Sequence, residues 1–363
     1  MADTMVQKGN PISGALTDKV RLCRKYDRPI MVFGPPGVGK SQQIAQAAED
    51  DDLVIDCRLT SLESIDMRGL PIILKDANKN PEKVVWVRPE FLPGDDGVVV
   101  EGRTYKKGIL FLDEINTAQI AVQAPALQLV LDRRIGPHRL GRGWYIAAAG
   151  NRADDGCHVN PMSAALLDRF AIYDYSPNHT VWTDWAMTNN VHPDVIGYIS
   201  FSPSALLAPR MDEYSPSANP RSWCYVSDML SHGTPDPSDV RACVGSQASE
   251  FCAYLKVCAS LPNIPKLIEG KETWKENRKE ISVAYAVANA LATHLIGHPT
   301  PEKVLENTVR VVSEISPEPA SLFFRRVMRT APEKLKTALF HSKAVMEWIK
   351  KNNDLLAGAI SVT

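Results

Sequence analysis

Gly34-Pro35-Pro36-Gly37-Val38-Gly39-Lys40-Ser41 places three glycines, a lysine and a hydroxyl within eight residues. The spacing G-x-x-x-x-G-K-[ST] describes a loop whose backbone N–H groups wrap a phosphate, with the lysine reaching the terminal phosphates and the serine hydroxyl ligating magnesium. The glycines are a physical requirement, because the tight loop needs φ > 0 and no Cβ between backbone and phosphate. Gln42 opens the segment Gln42–Ala48, which suits a helix whose N-terminus turns its partial positive charge toward the same anion. The pattern arises by chance about once in some tens of chains of this length, so it calls for corroboration.

Gly108-Ile109-Leu110-Phe111-Leu112-Asp113-Glu114 supplies it. The unbroken apolar run fits a strand covered on both faces, as in a parallel sheet. Acids at the C-terminal end of such a strand emerge at the edge where ligands bind in open α/β folds. Asp113 can hold magnesium through water, and Glu114 can orient and deprotonate an attacking water. A helix N-cap accounts for Asp113 but leaves the adjacent glutamate and the upstream loop unexplained. Together the two motifs give nucleoside triphosphate binding with Mg2+. A glutamate beside the magnesium aspartate, with no N-K-x-D anywhere in the chain, favours ATP and its hydrolysis over GTP.

Trp144-Tyr145-Ile146-Ala147-Ala148-Ala149-Gly150-Asn151 reads as another buried strand ending in an amide. Asn151 can hydrogen-bond a γ-phosphate or the attacking water; alternatively Gly-Asn is turn chemistry. Its position after the acidic strand favours the first. In Leu166-Leu167-Asp168-Arg169-Phe170, the arginine either makes a surface ion pair of small value or points into a neighbouring subunit's nucleotide.

In this order, the glycine-rich loop, Leu112-Asp113-Glu114, Asn151 and Leu167-Asp168-Arg169-Phe170 resemble the AAA+ ATPases, and more narrowly their MoxR-like branch. The likeness extends through about residue 230. Within it, Asp66-Met67-Arg68-Gly69-Leu70-Pro71 and Val84-Val85-Trp86-Val87-Arg88-Pro89 resemble the insert of bacterial and phage members. Leu129-Val130-Leu131-Asp132-Arg133-Arg134-Ile135-Gly136 resembles the entry to a hairpin before the sensor strand, and Pro220-Arg221-Ser222-Trp223 the start of a lid helix. The resemblance implies an α/β P-loop NTPase fold: a parallel five-stranded sheet flanked by helices, then a helical lid and a C-terminal helical extension. It implies a homo-oligomeric ring, usually hexameric, with ATP between subunits. Carried over by position, Gly34 to Ser41 with Gln42 cradle ATP, Ser41 and Asp113 serve the metal, and Glu114 is the base. Asn151 becomes the first sensor and Arg169 the arginine acting in trans. Arg221 becomes a second sensor acting in cis, although Pro220 at a first helical turn equally suits a structural role. Arg133, Arg134 and Arg152 are further candidates for contacts in trans, with a solvated hairpin face the alternative for the first two.

These residues need elements to hold them. Ala15 to Tyr26 reads as a helix leading to a strand at Ile30-Met31-Val32-Phe33, and Leu53 to Arg58 as a neighbouring strand. The expected organisation is an α/β domain over 1–178 with β-hairpin inserts at about 61–107 and 133–144, a lid over 179–300 and an extension over 301–363. In the inserts, Leu70 to Leu74 and Val84 to Val87 suit ribbon strands, and Lys75 to Lys83 a polar turn; partner-facing loop and plain solvent loop are equally open. Trp182, Trp185 and Met187 read as core of a helix, with further helices at His192 to Phe201, Val240 to Ala259 and Ile281 to Leu295, and two or three more over 301–363. Pro203 to Asn219 reads as a linker, and Arg325-Arg326 as a solvated helix face by default, with a partner surface the alternative. His138 and Cys157-His158 have no neighbours at metal-ligand spacing.

The composition fits a soluble globular protein, with 44% apolar and 23% charged residues. A formal net charge of −1 gives no global attraction to nucleic acid or anionic lipid. Seven cysteines without a C-x-x-C pair suit reduced thiols in a cytosolic compartment. A polar start from Met1 to Asn10, and no apolar run of membrane-spanning length, add to the expectation of a cytoplasmic protein. The leading functional expectation is an ATP-driven remodelling motor. Its protein client and a von Willebrand factor A-type partner are implied by resemblance alone. A nucleic-acid motor, a metal-chelatase motor subunit and a weakly hydrolysing scaffold stand as alternatives.

Overall fold

Five parallel strands frame the N-terminal part of the protein: β1 (Ile30–Phe33), β2 (Leu53–Arg58), β3 (Lys107–Asp113), β4 (Gly143–Gly150) and β5 (Ala171–Asp174). They lie in the order β5-β1-β4-β3-β2, every neighbouring pair parallel. The computed structural model describes residues 15–76, 78, 80–274 and 280–356. The chain divides into two compact units between Ser176 and Pro177.

The sheet is covered on both faces, which explains the near-continuous apolar runs of β3 and β4. Ile109, Phe111, Ala147 and Ala149 point to a face packed by α1 (Ala15–Lys25) and by Ile44 and Ala47 of the α2 region (α2, Lys40–Gln46). Leu110, Leu112, Ile146 and Ala148 point the other way, against Val122, Ala126 and Leu129 of α3 (Ile120–Asp132). Successive strand residues alternate faces, so the register decides which polar side chains at the strand ends share a face. Asp113 continues the Ile109–Phe111 row and therefore emerges on the α2 side.

The first insert is a hairpin of Pro71–Lys75 paired with Pro81–Trp86. A second ribbon, Val98–Val100 with Arg103–Tyr105, lies within the same insert, and a short one joins Arg134–Ile135 to His138–Arg139. Ile72, Ile73, Leu74, Val84 and Val85 are all exposed on the first hairpin.

The second unit is helical. Helix α4 (His179–Thr188) buries Trp182 and Met187, as their spacing predicts. The expected helix from Val240 to Ala259 is two helices, Pro237–Val244 and Ala248–Ala259, because Gly245 at φ 55° breaks the run. The stretch read as a linker contains a buried turn at Ala205 and Leu206, tied by a bridge between Ala208 and Ala218. Arg221 is the second residue of α5 (Pro220–His232), whose N-terminus is closed by a reciprocal Asn219–Ser222 capping box. Among the described residues past 300, five helices occur rather than two or three. Pro317 starts the second of them and Pro332 precedes the third. Residues of α6 (Ile281–Ile296) and of helices on both sides of 300 share one apolar core. The N-terminal segment before Ala15 and the last seven residues, 357–363, lie outside the described residues. Among the described residues no helix is long and apolar enough to cross a membrane.

Candidate functional site

The strand order β5-β1-β4-β3-β2 sets the C-terminal ends of β1, β4 and β3 side by side, and the polar residues singled out in the sequence follow those ends. After β1 the chain turns through Gly34–Gly39, with Gly37 at φ 76° and Gly39 at φ 94°. Both values lie in the left-handed region that glycine enters without steric cost, and Gly39 forms the N-cap of α2. Gly34 is needed for a different reason: a Cβ there would overlap the carbonyl oxygen of Tyr175, just past β5. Pro35, Pro36 and Val38 complete the loop, with Val38 buried, and Gln42 stands half-buried in the first turn of α2.

Lys40 is buried, and its Nζ donates to the carbonyls of Gly34 at 2.6 Å and Pro35 at 2.8 Å. The same ammonium donates to Asn151 Oδ1 at 3.0 Å. Ser41 Oγ lies 3.2 Å from Asp113 Oδ2. A hydroxyl and a carboxylate side by side form a hard-oxygen pair of the kind that magnesium takes together with phosphate oxygens and water. Among the described residues no group of three or more His, Cys, Asp or Glu side chains could hold a metal by itself. Burial raises the Asp113 pKa from the ordinary carboxylate value and the Glu114 charge raises it further, while hydrogen bonds from the Glu114 N–H and Ser41 oppose both.

Glu114 occupies the left-handed region at φ 57°, unusual for a residue with a Cβ and a mark of local strain. Its Oε2 accepts from Thr60 Oγ1 at 2.8 Å. Thr60 escaped the sequence reading because nothing in Leu59-Thr60-Ser61 signals chemistry. Only the β2–β3 register, with Arg58 opposite Asp113, brings it to the glutamate. Asp56 escaped too, although an acid inside Leu53-Val54-Ile55-Asp56-Cys57-Arg58 is itself a signal. Its Oδ1 is buried with no hydrogen-bond partner among the described residues. Burial and the nearby Asp113 push its pKa up to about 6.

The structure thus joins Lys40, Ser41, Asp113, Glu114 and Asn151, contributed by β1, β3 and β4, at one edge. It leaves Arg169 away from it. Ala171 pairs with Ile30 at the start of β1, so Arg169 precedes the opposite end of the strands, with the whole of β1, about 13 Å of strand rise, between that end and Gly34. Arg169 is exposed, and its side chain makes no hydrogen bond or ion pair among the described residues. Arg152 pairs with Asp174 at the end of β5. Arg133 donates to the Trp144 carbonyl at 2.5 Å and lies 3.5 Å from Asp27, which anchors the hairpin base within its own chain. Arg134 is exposed and lies 3.8 Å from Asp132. Arg221 belongs to the second unit and is exposed.

No family model matches the chain, and no curated protein matches it. Solved structures similar to it include the RuvB P216G mutant of Thermotoga maritima, 15% identical, with a TM-score of 0.35 over 81% of this chain and 84% of that one. NtrX from Brucella abortus in complex with ADP is 14% identical, with a TM-score of 0.37 over 97% of this chain and 69% of that one. Its complex with ATP is 13% identical, with a TM-score of 0.36 over 96% and 70%.

Proposed function

We propose that this protein is a magnesium-dependent ATPase of the MoxR-like AAA+ type that works as a ring, hexameric by resemblance, to remodel a protein client. The observation that carries the ATPase reading is the convergence of Lys40, Ser41, Asp113 and Asn151, with Ser41 Oγ 3.2 Å from Asp113 and Lys40 Nζ 3.0 Å from Asn151. Backbone N–H groups of the loop 34–41 and the Lys40 ammonium bind the β- and γ-phosphates. Ser41 and Asp113 are the residues that would hold Mg2+, which would supply charge neutralisation to the phosphates during transfer. Glu114, steadied by Thr60, orients the attacking water and takes its proton. Asn151 hydrogen-bonds the terminal phosphate and thereby reports whether it is present.

Arg169 supports the ring. It stands too far from its own site to touch the nucleotide, and an exposed guanidinium at a sheet end is free to enter a neighbour's. Arg221 is proposed as a second sensor within the same chain. The exposed apolar hairpin at 71–86 is the proposed client-facing element, and a von Willebrand factor A-type partner is carried from the resemblance. The test is a mixing experiment. Arg169→Ala and Glu114→Gln should each bind ATP without turnover, and mixed subunits should recover part of it, because some interfaces then hold an intact Glu114 facing an intact Arg169. No recovery would overturn the geometry in trans. Capture of a protein on the ATP-loaded Glu114→Gln form would identify the client; stimulation by DNA that salt abolishes would overturn the protein-client reading.

A further inference from the structure

Asn116 is 5% exposed and lies in the turn after β3. Its side chain faces the backbone of Asn151 with both halves of its amide engaged. Oδ1 accepts from the Asn151 N–H at 3.1 Å, and Nδ2 donates to the Asn151 carbonyl at 2.6 Å. The backbone pairing of β3 and β4 ends at Leu112–Ala148. One more rung follows, from the Ile115 N–H to the Ala149 carbonyl at 3.1 Å, and the Asn116 amide supplies the next by imitating a peptide group. Residue 150 leaves room for this only as glycine: a Cβ there would stand 2.5 Å from Asn116 Oδ1 and 2.8 Å from Met31 Cε. The turn is tied from its far side as well, where the Asn160 N–H donates to the Asn116 carbonyl at 2.7 Å and Asn160 Nδ2 to the Ala118 carbonyl at 3.0 Å.

We infer that Asn116 is a positioning residue of the nucleotide site, fixing the main chain of Asn151 so that the Asn151 amide meets Lys40 and the terminal phosphate. This deepens the ATPase reading and rests on it. Asn151 is the first residue past the end of β4, where backbone pairing no longer holds the chain. A phosphate contact made from an unanchored strand end would wander, and misplacement by about 1 Å can cost about a hundredfold in rate. The side chain must offer one donor and one acceptor in a plane, which asparagine does and aspartate or leucine does not.

The experiment is a double-mutant cycle on the full chain between Asn116→Asp and Asn151→Ala, read as kcat, as KM and as the ratio of affinities for ADP and a non-hydrolysable ATP analogue. Each single substitution should lower kcat by about 10- to 100-fold while ADP affinity stays within about threefold. In the Asn151→Ala background, Asn116→Asp should cost under about twofold more. Additive losses would show that Asn116 acts elsewhere and overturn the inference. Gly150→Ala displaces Asn116 Oδ1 from the opposite side and should reproduce the kcat loss, so a folding defect in one variant does not decide the outcome. If the wild-type protein fails to hydrolyse ATP, the ATPase reading falls, yet the affinity ratio still decides. Discrimination between analogue and ADP should collapse in Asn116→Asp and in Asn151→Ala and fall no further in the pair; an unchanged ratio in Asn116→Asp overturns the inference.

Discussion

The edge of the sheet in the first unit and the interior of the second both bury charge, and they treat it in opposite ways. At the edge, Asp113 is raised by burial and by Glu114, Asp56 has an unpartnered buried oxygen, and Glu114 is held at φ 57°. In the second unit, Asp184 on α4 is bracketed by Arg325 and Arg329 of α7 (Pro317–Thr330), with side-chain exposures of 8%, 13% and 20%. Arg326, its pKa lowered to about 10 by burial, donates to both oxygens of Asn289 on α6. There these buried groups meet polar partners within the unit: Arg325 and Arg329 share Asp184, and Arg326 meets Asn289. Buried acids crowd one another at the sheet edge, whereas between these helices the buried acid is met by arginines.

Substitutions that strike the two regions should therefore separate rate from stability. The largest effect is expected for Glu114→Gln, with turnover falling about 10²- to 10⁴-fold and ATP affinity retained; steady-state hydrolysis beside equilibrium binding checks this. Asp184→Ala should be the counterpart. It leaves two half-buried arginines without their carboxylate and should destabilise the second unit by about 3–5 kcal/mol in denaturant unfolding. Joint replacement of Asp184, Arg325 and Arg329 by apolar residues of similar volume should return most of that loss.

A smaller effect tests the strain itself. Glu114→Gly should stabilise the first unit by about 1 kcal/mol, because glycine enters the left-handed region freely, while turnover disappears. A loss of stability instead would mean that Glu114 is comfortable and the comparison too sharp. The smallest effect concerns Asp56. Its folded pKa, near 6, lies above the ordinary carboxylate value, so the fold keeps a proton that the unfolded chain has released. Stability from this group is full below the unfolded pKa and is lost as pH rises through about 6. In metal-free buffer, Asp56→Asn should flatten the fall in stability between about pH 4 and about pH 7 relative to wild type.

Much of the first unit was legible because its signals are local. Ile30–Phe33 and Leu53–Arg58 match their expected bounds, since each is an apolar run cut off by Gly34 or by polar residues. The β3 strand ends at Asp113, with the acids at its C-terminal end as expected, and Glu114 turns left-handed beyond it, a conformation propensity does not favour. The second unit was read less well. Arg325-Arg326 reads as a solvated face from its charge, yet both side chains are largely withdrawn from solvent against Asp184 and Asn289, 141 and 37 residues away in the chain. The Val98–Tyr105 ribbon passed unnoticed because Val98-Val99-Val100 and Arg103-Thr104-Tyr105 are too short to carry a period.

By itself the sequence determined which polar residues stand at the ends of the strands. A phosphate loop must be glycine-rich, a base must stand next to its metal ligand, and an apolar run must precede each, so spacing along the chain suffices. The tertiary structure decided which side chains serve those residues: Thr60 beneath Glu114, Asn116 behind Asn151, and Asp184 between two arginines. Those pairings depend on strand register and helix packing; for Asn116 and Asp184, residues distant in sequence also meet because burial leaves no unpaired polar group cheaply tolerated. No spacing within the chain encodes that.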